Sequence, residues 1–174
     1  MNKHQITLST IFFLLNINLI LSQSITISPE IFKNAIGNWH GSLTYLDYSS
    51  NQPYTMPANV KVEQISGTNN FIFTNIFPKE MGANSTDTLT ISENGKMINK
   101  KNIRSIQKHE NVNTEIITEY LDVDGNDDKP AIIRHTYVVG DNILIMRKDV
   151  QFVKETEWIK RNEFSYTREP LECK

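Results

Sequence analysis

Apolar and polar residues alternate along most of the chain, with the period of two that is typical of β-strands. In residues 54–63 nearly every second side chain is apolar and the intervening ones are mostly polar, as in a strand that covers a core on one side only. Similar alternation, or a short apolar run between turn residues, predicts the remaining strands. They are placed at 38–48, 71–77, 86–92, 97–106, 114–122, 131–139, 142–150 and 155–168.

One short helix is predicted before the first strand. Ser28 is a suitable N-cap, Pro29 fits the first helical position, and Gly37 can end the helix in a left-handed conformation. No helix is long enough to connect parallel strands, so the short turns must join antiparallel neighbours. We therefore predict an all-β fold, an antiparallel up-and-down β-barrel of about 8–10 strands, because closure hides the two edge strands. A β-sandwich is the alternative.

The first residues form a pattern of their own. Lys3 and His4 precede an apolar stretch at 11–21, and small or polar residues follow at 22–24, which is the layout of a secretory signal. We predict a signal peptide at 1–22, a barrel domain at 23–169 and a C-terminal tail at 170–174. The apolar stretch is short for an uncleaved anchor, which needs about 20 residues. The expected location is periplasmic or secreted, with no membrane span after cleavage.

Composition narrows the class of partner. The 174 residues are 39% hydrophobic and 22% charged, with a formal net charge of -2, so neither disorder nor a nucleic-acid partner is indicated. Cys173 is the single cysteine, which excludes an intramolecular disulfide and leaves the fold to its hydrophobic core. We expect a monomer.

The segment Gly37-Asn38-Trp39 after a capped helix, with Arg168 late in the last strand, resembles the calycin superfamily, which includes lipocalins, fatty-acid-binding proteins and nitrobindin-like barrels. The resemblance implies a lipocalin-like barrel in which Trp39 lies at the closed end and Arg168 packs across its ring. Nitrobindin-like barrels hold haem through a late histidine. The last histidine here is His135, outside the final strand, so haem and other cofactors are not expected.

The fold and the resemblance favour a binding protein that holds a small apolar molecule inside the barrel. His135, beside Tyr137, is a further residue that could face the interior, although a structural role is the more common one. A ligand-free structural or interaction barrel is the main alternative. A lipocalin-like enzyme is the third, and no spacing assembles a catalytic triad. The candidate ligand-lining residues are Tyr45, Tyr54, Met56, Val60, Phe71, Phe73, Leu89, Ile91 and His135.

Two segments contain residue types that bind metals. His109 begins a zinc-protease-like sequence, but Asn113 stands where the second histidine would be needed. The acidic stretch 122–128 offers carboxylates, but its glycine is two positions early for an EF-hand loop. We interpret it as a solvated hairpin tip and expect no metal site.

Overall fold

The structure, a computed structural model, describes residues 25–47, 49–109 and 113–168. The predicted signal peptide at 1–22, the tail at 170–174 and Cys173 lie outside these ranges. Within them, no helix is long and apolar enough to span a bilayer.

The described residues form an all-β fold. One short helix and one 3-10 turn at Met81–Ala83 accompany ten strands. The elements are α1 (Glu30–Lys33), β1 (Gly37–Asp47), β2 (Gln52–Gln64), β3 (Asn70–Ile76), β4 (Ser85–Thr90), β5 (Met97–Ile98), β6 (Lys101–Lys108), β7 (Thr114–Asp124), β8 (Lys129–Val139), β9 (Leu144–Phe152) and β10 (Ile159–Thr167).

Each strand pairs antiparallel with its neighbour, in the order β4-β3-β2-β1-β10-β9-β8-β7-β6-β5. The two outer strands approach each other, and a single bridge between Ile91 and Ile98 joins them. The result is a nearly closed up-and-down barrel. The predicted fold class is therefore confirmed, and the sandwich alternative is wrong.

One strand prediction is wrong in detail. Residues 97–106 were expected to form a single strand, whereas the chain reverses after the two residues of β5 and continues as β6. Asn99 and Lys100 both have positive φ angles, of 49° and 63°, as a tight two-residue hairpin turn requires. Asparagine tolerates this conformation, but lysine rarely adopts it, so the local sequence contains only half of the turn signal.

The register between β1 and its neighbours decides which side chains face the interior. Trp39, Gly41 and Leu43 lie opposite Val60, Ala58 and Met56 of β2. Gly41 also lies opposite Tyr166 of β10, and a Cβ atom at position 41 would collide with the backbone carbonyl of Ser165. Glycine is thus required at this position of β1, where the backbone of β10 leaves no room for a side chain.

The barrel interior has two different ends. The helix end, where α1 packs on the barrel, is filled by fully buried side chains that include Phe32, Trp39, Phe71 and Tyr166. Phe32 contacts Phe71 and Tyr137, with ring centroids 5.8 and 6.0 Å apart. The far end, where β1 leaves and β10 enters, contains a smaller cluster of buried apolar side chains, Ala131, Ile133 and Val150. The candidate site lies between the two ends.

Candidate ligand-binding cavity

A cavity of about 390 Å³ lies in the barrel between the packed core of the helix end and the solvent at the far end. This volume is within the range of roughly 300–1,000 Å³ that is usual for small-molecule sites. Its lining combines aromatic and aliphatic side chains with polar ones. The lining residues are Phe73, Asn75, Phe77, Ser85, Asp87, Thr88, Leu89, Asn99, His135, Tyr137, Met146, Arg147, Lys148, Asn162 and Phe164.

The apolar part of the cavity comes from strands on both sides of the β1–β10 pair. Phe77, which follows β3, lies with its ring centroid 6.4 Å from that of Phe164 on β10. Phe164 in turn stacks on Tyr166, at 5.9 Å and an angle of 15° between the ring planes. Met146 lies beside Phe164 on β9. These side chains offer a flat, polarizable surface to an apolar ligand.

The polar part includes an amide with an unsatisfied acceptor. Asn75 on β3 is only 5% exposed, and its Nδ2 donates hydrogen bonds to Ser85 Oγ at 3.1 Å and to Asp87 Oδ2 at 2.8 Å. Asn75 Oδ1 accepts no hydrogen bond from the described residues. We call Asn75, Ser85 and Asp87 the acceptor corner of the cavity.

His135 lies on the opposite wall, on β8. Its Nε2 is 3.4 Å from the hydroxyl of Tyr120, and its ring centroid is 6.4 Å from that of Tyr137. Burial lowers the pKa of His135, and the positive charges of Lys148 and Lys101 lower it further. The imidazole is therefore uncharged at neutral pH. Burial also raises the pKa of Tyr137, which stays protonated.

An ion cluster inside the barrel borders the cavity. Asp124, which is 7% exposed, accepts hydrogen bonds from Lys148 Nζ and Arg161 Nε, both at 2.7 Å. Burial alone would raise the pKa of Asp124, but the hydrogen bonds and charges of Lys148 and Arg161 outweigh this effect and lower it. The cluster ties β7, β9 and β10 together at the far end.

The solvated interpretation of the acidic stretch is therefore wrong for Asp124, whose side chain enters the barrel instead of the solvent. It holds for Asp122, Asp127 and Asp128, which are exposed at the β7–β8 hairpin tip. Within the described part of the chain, no group of three or more His, Cys, Asp or Glu side chains is placed to hold a metal ion. His109 is exposed beyond β6.

The structure brings three of the nine predicted ligand-lining residues to this cavity: Phe73, Leu89 and His135. Four others lie in the packed core and do not line the cavity. These four are Met56, Val60, Phe71 and Ile91.

The two tyrosines at the far end lie elsewhere. Tyr45 lines a second cavity of about 590 Å³, to which Asp47, Ser49 and Asn126 also contribute. Tyr54 lies opposite Tyr45, on the same side of β2 as the buried Met56. It is nevertheless 49% exposed, packs on Tyr45 with the ring centroids 5.5 Å apart and does not line the candidate cavity. It lies near the start of β2, beyond the enclosed part of the barrel.

Sequence reasoning missed the polar lining residues, although the alternation contains a signal for some of them. Asn75 shares the inward parity of Phe71 and Phe73, and Lys148 shares that of Leu144 and Met146. A polar residue at an inward position of an otherwise apolar strand needs a hydrogen-bond or charge partner inside the barrel, and therefore indicates a polar part of the interior.

The predicted closure residues meet at the helix end. Arg168 lies with its guanidinium carbon 4.3 Å from the ring centroid of Trp39. Arg168 Nη2 donates to the carbonyls of Asn34 and Ile36, and Nε donates to that of Asp141 at 2.7 Å. Trp39 is fully buried, and its Nε1 donates to Ala35 O at 2.7 Å.

Gly37 completes this contact. It has a φ of +124°, and a Cβ atom there would lie 3.0 Å from Arg168 Nη1. A side chain at position 37 would thus both strain the backbone and press on the guanidinium.

Comparisons with known proteins add little to this geometry. No protein-family model matches the chain, and no curated protein matches it. Among solved structures, the chain is similar to the crystal structure of Rv2717c from M. tuberculosis, with 11% sequence identity and a TM-score of 0.47. The similarity covers 84% of this chain and 100% of that chain. A likeness at this level has no bearing on ligand or activity.

Proposed function

We propose that the protein is an exported, calycin-like binding protein that holds one small, largely apolar molecule in the cavity between its helix end and its far end. The observation that carries the proposal is the mixed lining of the cavity. The apolar side chains of Phe73, Phe77 and Phe164 face a few converging polar groups, which is the usual composition of a small-molecule site.

The ion cluster and the closure contact support the same proposal. The Asp124 cluster and the Trp39–Arg168 contact fix the strands on either side of the cavity, so the site does not depend on flexible loops. A cavity held open by a rigid frame costs little reorganisation on binding. Binding, not catalysis, is proposed, with the protein acting as a monomer.

N-phenyl-1-naphthylamine, an uncharged dye whose fluorescence rises in apolar surroundings, tests the proposal. We expect it to bind with an increase in fluorescence. Met146→Trp should weaken this binding about tenfold or more, because a larger ring in a half-buried lining position fills the cavity. Met81→Trp is the matched control, since Met81 is 77% exposed and does not line the cavity, and should leave binding unchanged.

Native mass spectrometry of the purified protein gives an independent reading, because a bound molecule would add a discrete mass. Absence of dye binding together with an unliganded mass would contradict the proposal and favour the ligand-free structural barrel. Equal dye affinity in Met146→Trp and in the unaltered protein would place the dye outside the cavity and would also contradict it.

Export is the second part of the proposal and rests on the basic start and the apolar stretch of the first residues. Mature protein recovered from the producing cell should begin at Gln23 or Ile25. N-terminal sequencing or intact mass decides this, and an exported product that retains Met1 or Asn2 would contradict a cleaved signal peptide.

A further inference from the structure

The orientation of the Asn75 amide is fixed by its neighbours. Asp87 is a carboxylate and can only accept a hydrogen bond, so the Nδ2 end of Asn75 must face it, as observed at 2.8 Å. Asn75 Oδ1 is left as a buried acceptor without a partner among the described residues. An unsatisfied buried carbonyl is costly, and any group that donates to it gains the corresponding free energy.

The charges around the cavity also favour a donor at this corner. The two cations of the lining are each engaged by carboxylates: Lys148 by Asp124, and Arg147 by Asp149 at 2.7 Å. Asp87, in contrast, pairs with no cation among the described residues, although it is an exposed rim residue of the cavity. The acceptor corner therefore combines an orphan carbonyl with an uncompensated carboxylate, which attracts donors and repels anions.

The apolar surface lies close to this corner. Phe73 is two residues from Asn75 along β3 and lies opposite Asp87 of β4, while Phe77 is two residues beyond Asn75. A ligand that places one polar group at the corner would therefore lay its body against these aromatic rings.

We propose that the acceptor corner recognises the O–H or N–H donor of an uncharged, ring-sized ligand, and that Asn75 determines this specificity. The inference rests on the proposed binding function and deepens it, since it names the polar group that the ligand must carry. A ligand hydroxyl or amine at the corner can donate to Asn75 Oδ1 or to the Asp87 carboxylate, whereas an ether or a carboxylate has no hydrogen to donate to either acceptor.

Three naphthalene derivatives of similar size test the inference: 2-naphthol, 2-methoxynaphthalene and 2-naphthoate. They present a donor, an ether and an anion on the same ring body. In titrations of the full domain we expect 2-naphthol to bind about tenfold more tightly than 2-methoxynaphthalene, the difference that one hydrogen bond supplies. We expect 2-naphthoate to bind more weakly than 2-naphthol.

Two variants test whether the acceptor corner causes the preference for 2-naphthol over 2-methoxynaphthalene. Asn75→Leu should reduce the preference for 2-naphthol over the ether to about twofold or less, because the acceptor is gone. The matched control is Asn59→Leu, on the adjacent strand β2 but outside the cavity lining, which should keep the preference. Asp87→Asn, at an exposed position that tolerates substitution, should also weaken the preference, because an amide at position 87 no longer fixes the orientation of Asn75.

The outcomes separate this inference from the proposed function. Equal affinities for 2-naphthol and its methyl ether, with binding still sensitive to Met146→Trp, would overturn the inference and leave the binding function intact. Tightest binding of 2-naphthoate, or a preference unchanged in both Asn75→Leu and Asp87→Asn, would overturn it as well. If none of the three compounds binds while N-phenyl-1-naphthylamine still binds in the cavity, the inference fails and the binding function stands. If the dye does not bind either and the native mass shows no ligand, both proposals fail.

Discussion

The contact between Trp39 and Arg168 joins the start of β1, the end of the described chain and the segment just after α1. We expect its removal to lower the stability of the whole barrel. Trp39 is fully buried at the start of β1, and its Nε1 donates to Ala35 O. We expect Trp39→Ala to lower the free energy of unfolding by about 3–5 kcal/mol, the usual loss for a large aromatic side chain in a core. This is a large part of the roughly 5–15 kcal/mol that is typical of a domain.

Arg168→Ala should cost less. Arg168 donates to three backbone carbonyls, those of Asn34, Ile36 and Asp141. Because Arg168 is partly exposed, water replaces some of these bonds, and we expect a loss of about 2–3 kcal/mol. Arg168→Lys should recover little of the loss, because an ammonium cannot reach several carbonyls at once or lie flat on the indole.

A double-mutant cycle isolates the contact between the two side chains. With Arg168 Cζ 4.3 Å from the indole centroid, the coupling free energy should be about 1 kcal/mol. Urea unfolding of the four proteins measures it, and Arg104→Ala provides a control with a 75% exposed arginine that should be nearly neutral. Losses that add to within about 0.5 kcal/mol would refute the argument that this contact couples β1 to the end of the chain.

Three further predictions concern charges. Because the pKa of Asp124 is lowered, its contribution to stability is present at neutral pH and lost as the pH falls below about 4. Asp124→Asn should lower the free energy of unfolding by about 3 kcal/mol at pH 7, and urea unfolding of this variant should depend less on pH in the acid range. Because the pKa of His135 is also lowered, this histidine takes up a proton at a higher pH in the unfolded chain than in the folded one, so stability falls as the pH drops below about 6.5. The free energy of unfolding of His135→Gln should depend less on pH over that interval. The same pH dependence in both proteins would contradict the conclusion that His135 is uncharged in the folded state. Calcium should not raise the melting temperature, because Lys148 and Arg161 already occupy the Asp124 carboxylate; a rise with calcium but not magnesium would reveal a site at the hairpin tip.

The barrel and its closure could be predicted because both follow from the alternation of side chains along each strand and from the order of the strands along the chain. Alternation in 54–63 fixes which face of β2 is buried, and a one-residue slip would turn every apolar side chain outward. Antiparallel closure then requires the end of β10 to meet the start of β1, where His40 lies opposite Thr167. The contact of Trp39 with Arg168 is consistent with that order, without any information on the loops.

The cavity could not be located in this way, because its position depends on how completely each layer of the interior is filled. Parity places Phe71 and Phe73 on the same face of β3, yet Phe71 is packed against Phe32 of α1 while Phe73 borders the cavity. The difference arises from the short helix, which fills one end of the barrel only. The alternation of side chains shows which residues face the interior, but it contains no information on which level of the interior is filled and which is left open.

Arg161 shows most clearly where parity fails. Counting back from Phe164 and Tyr166 places Arg161 on the outer face of β10, where a cation would be expected to reach solvent. The pairing of β10 with β9 shifts between Lys160 and Asn162, and Arg161 is the extra residue of this bulge. The side chain is thereby directed to Asp124, where its Nε donates at 2.7 Å and only 10% of the side chain remains exposed. A single bulge thus turns an apparent surface arginine into the second cation partner of Asp124, which also pairs with Lys148 in the ion cluster beside the cavity.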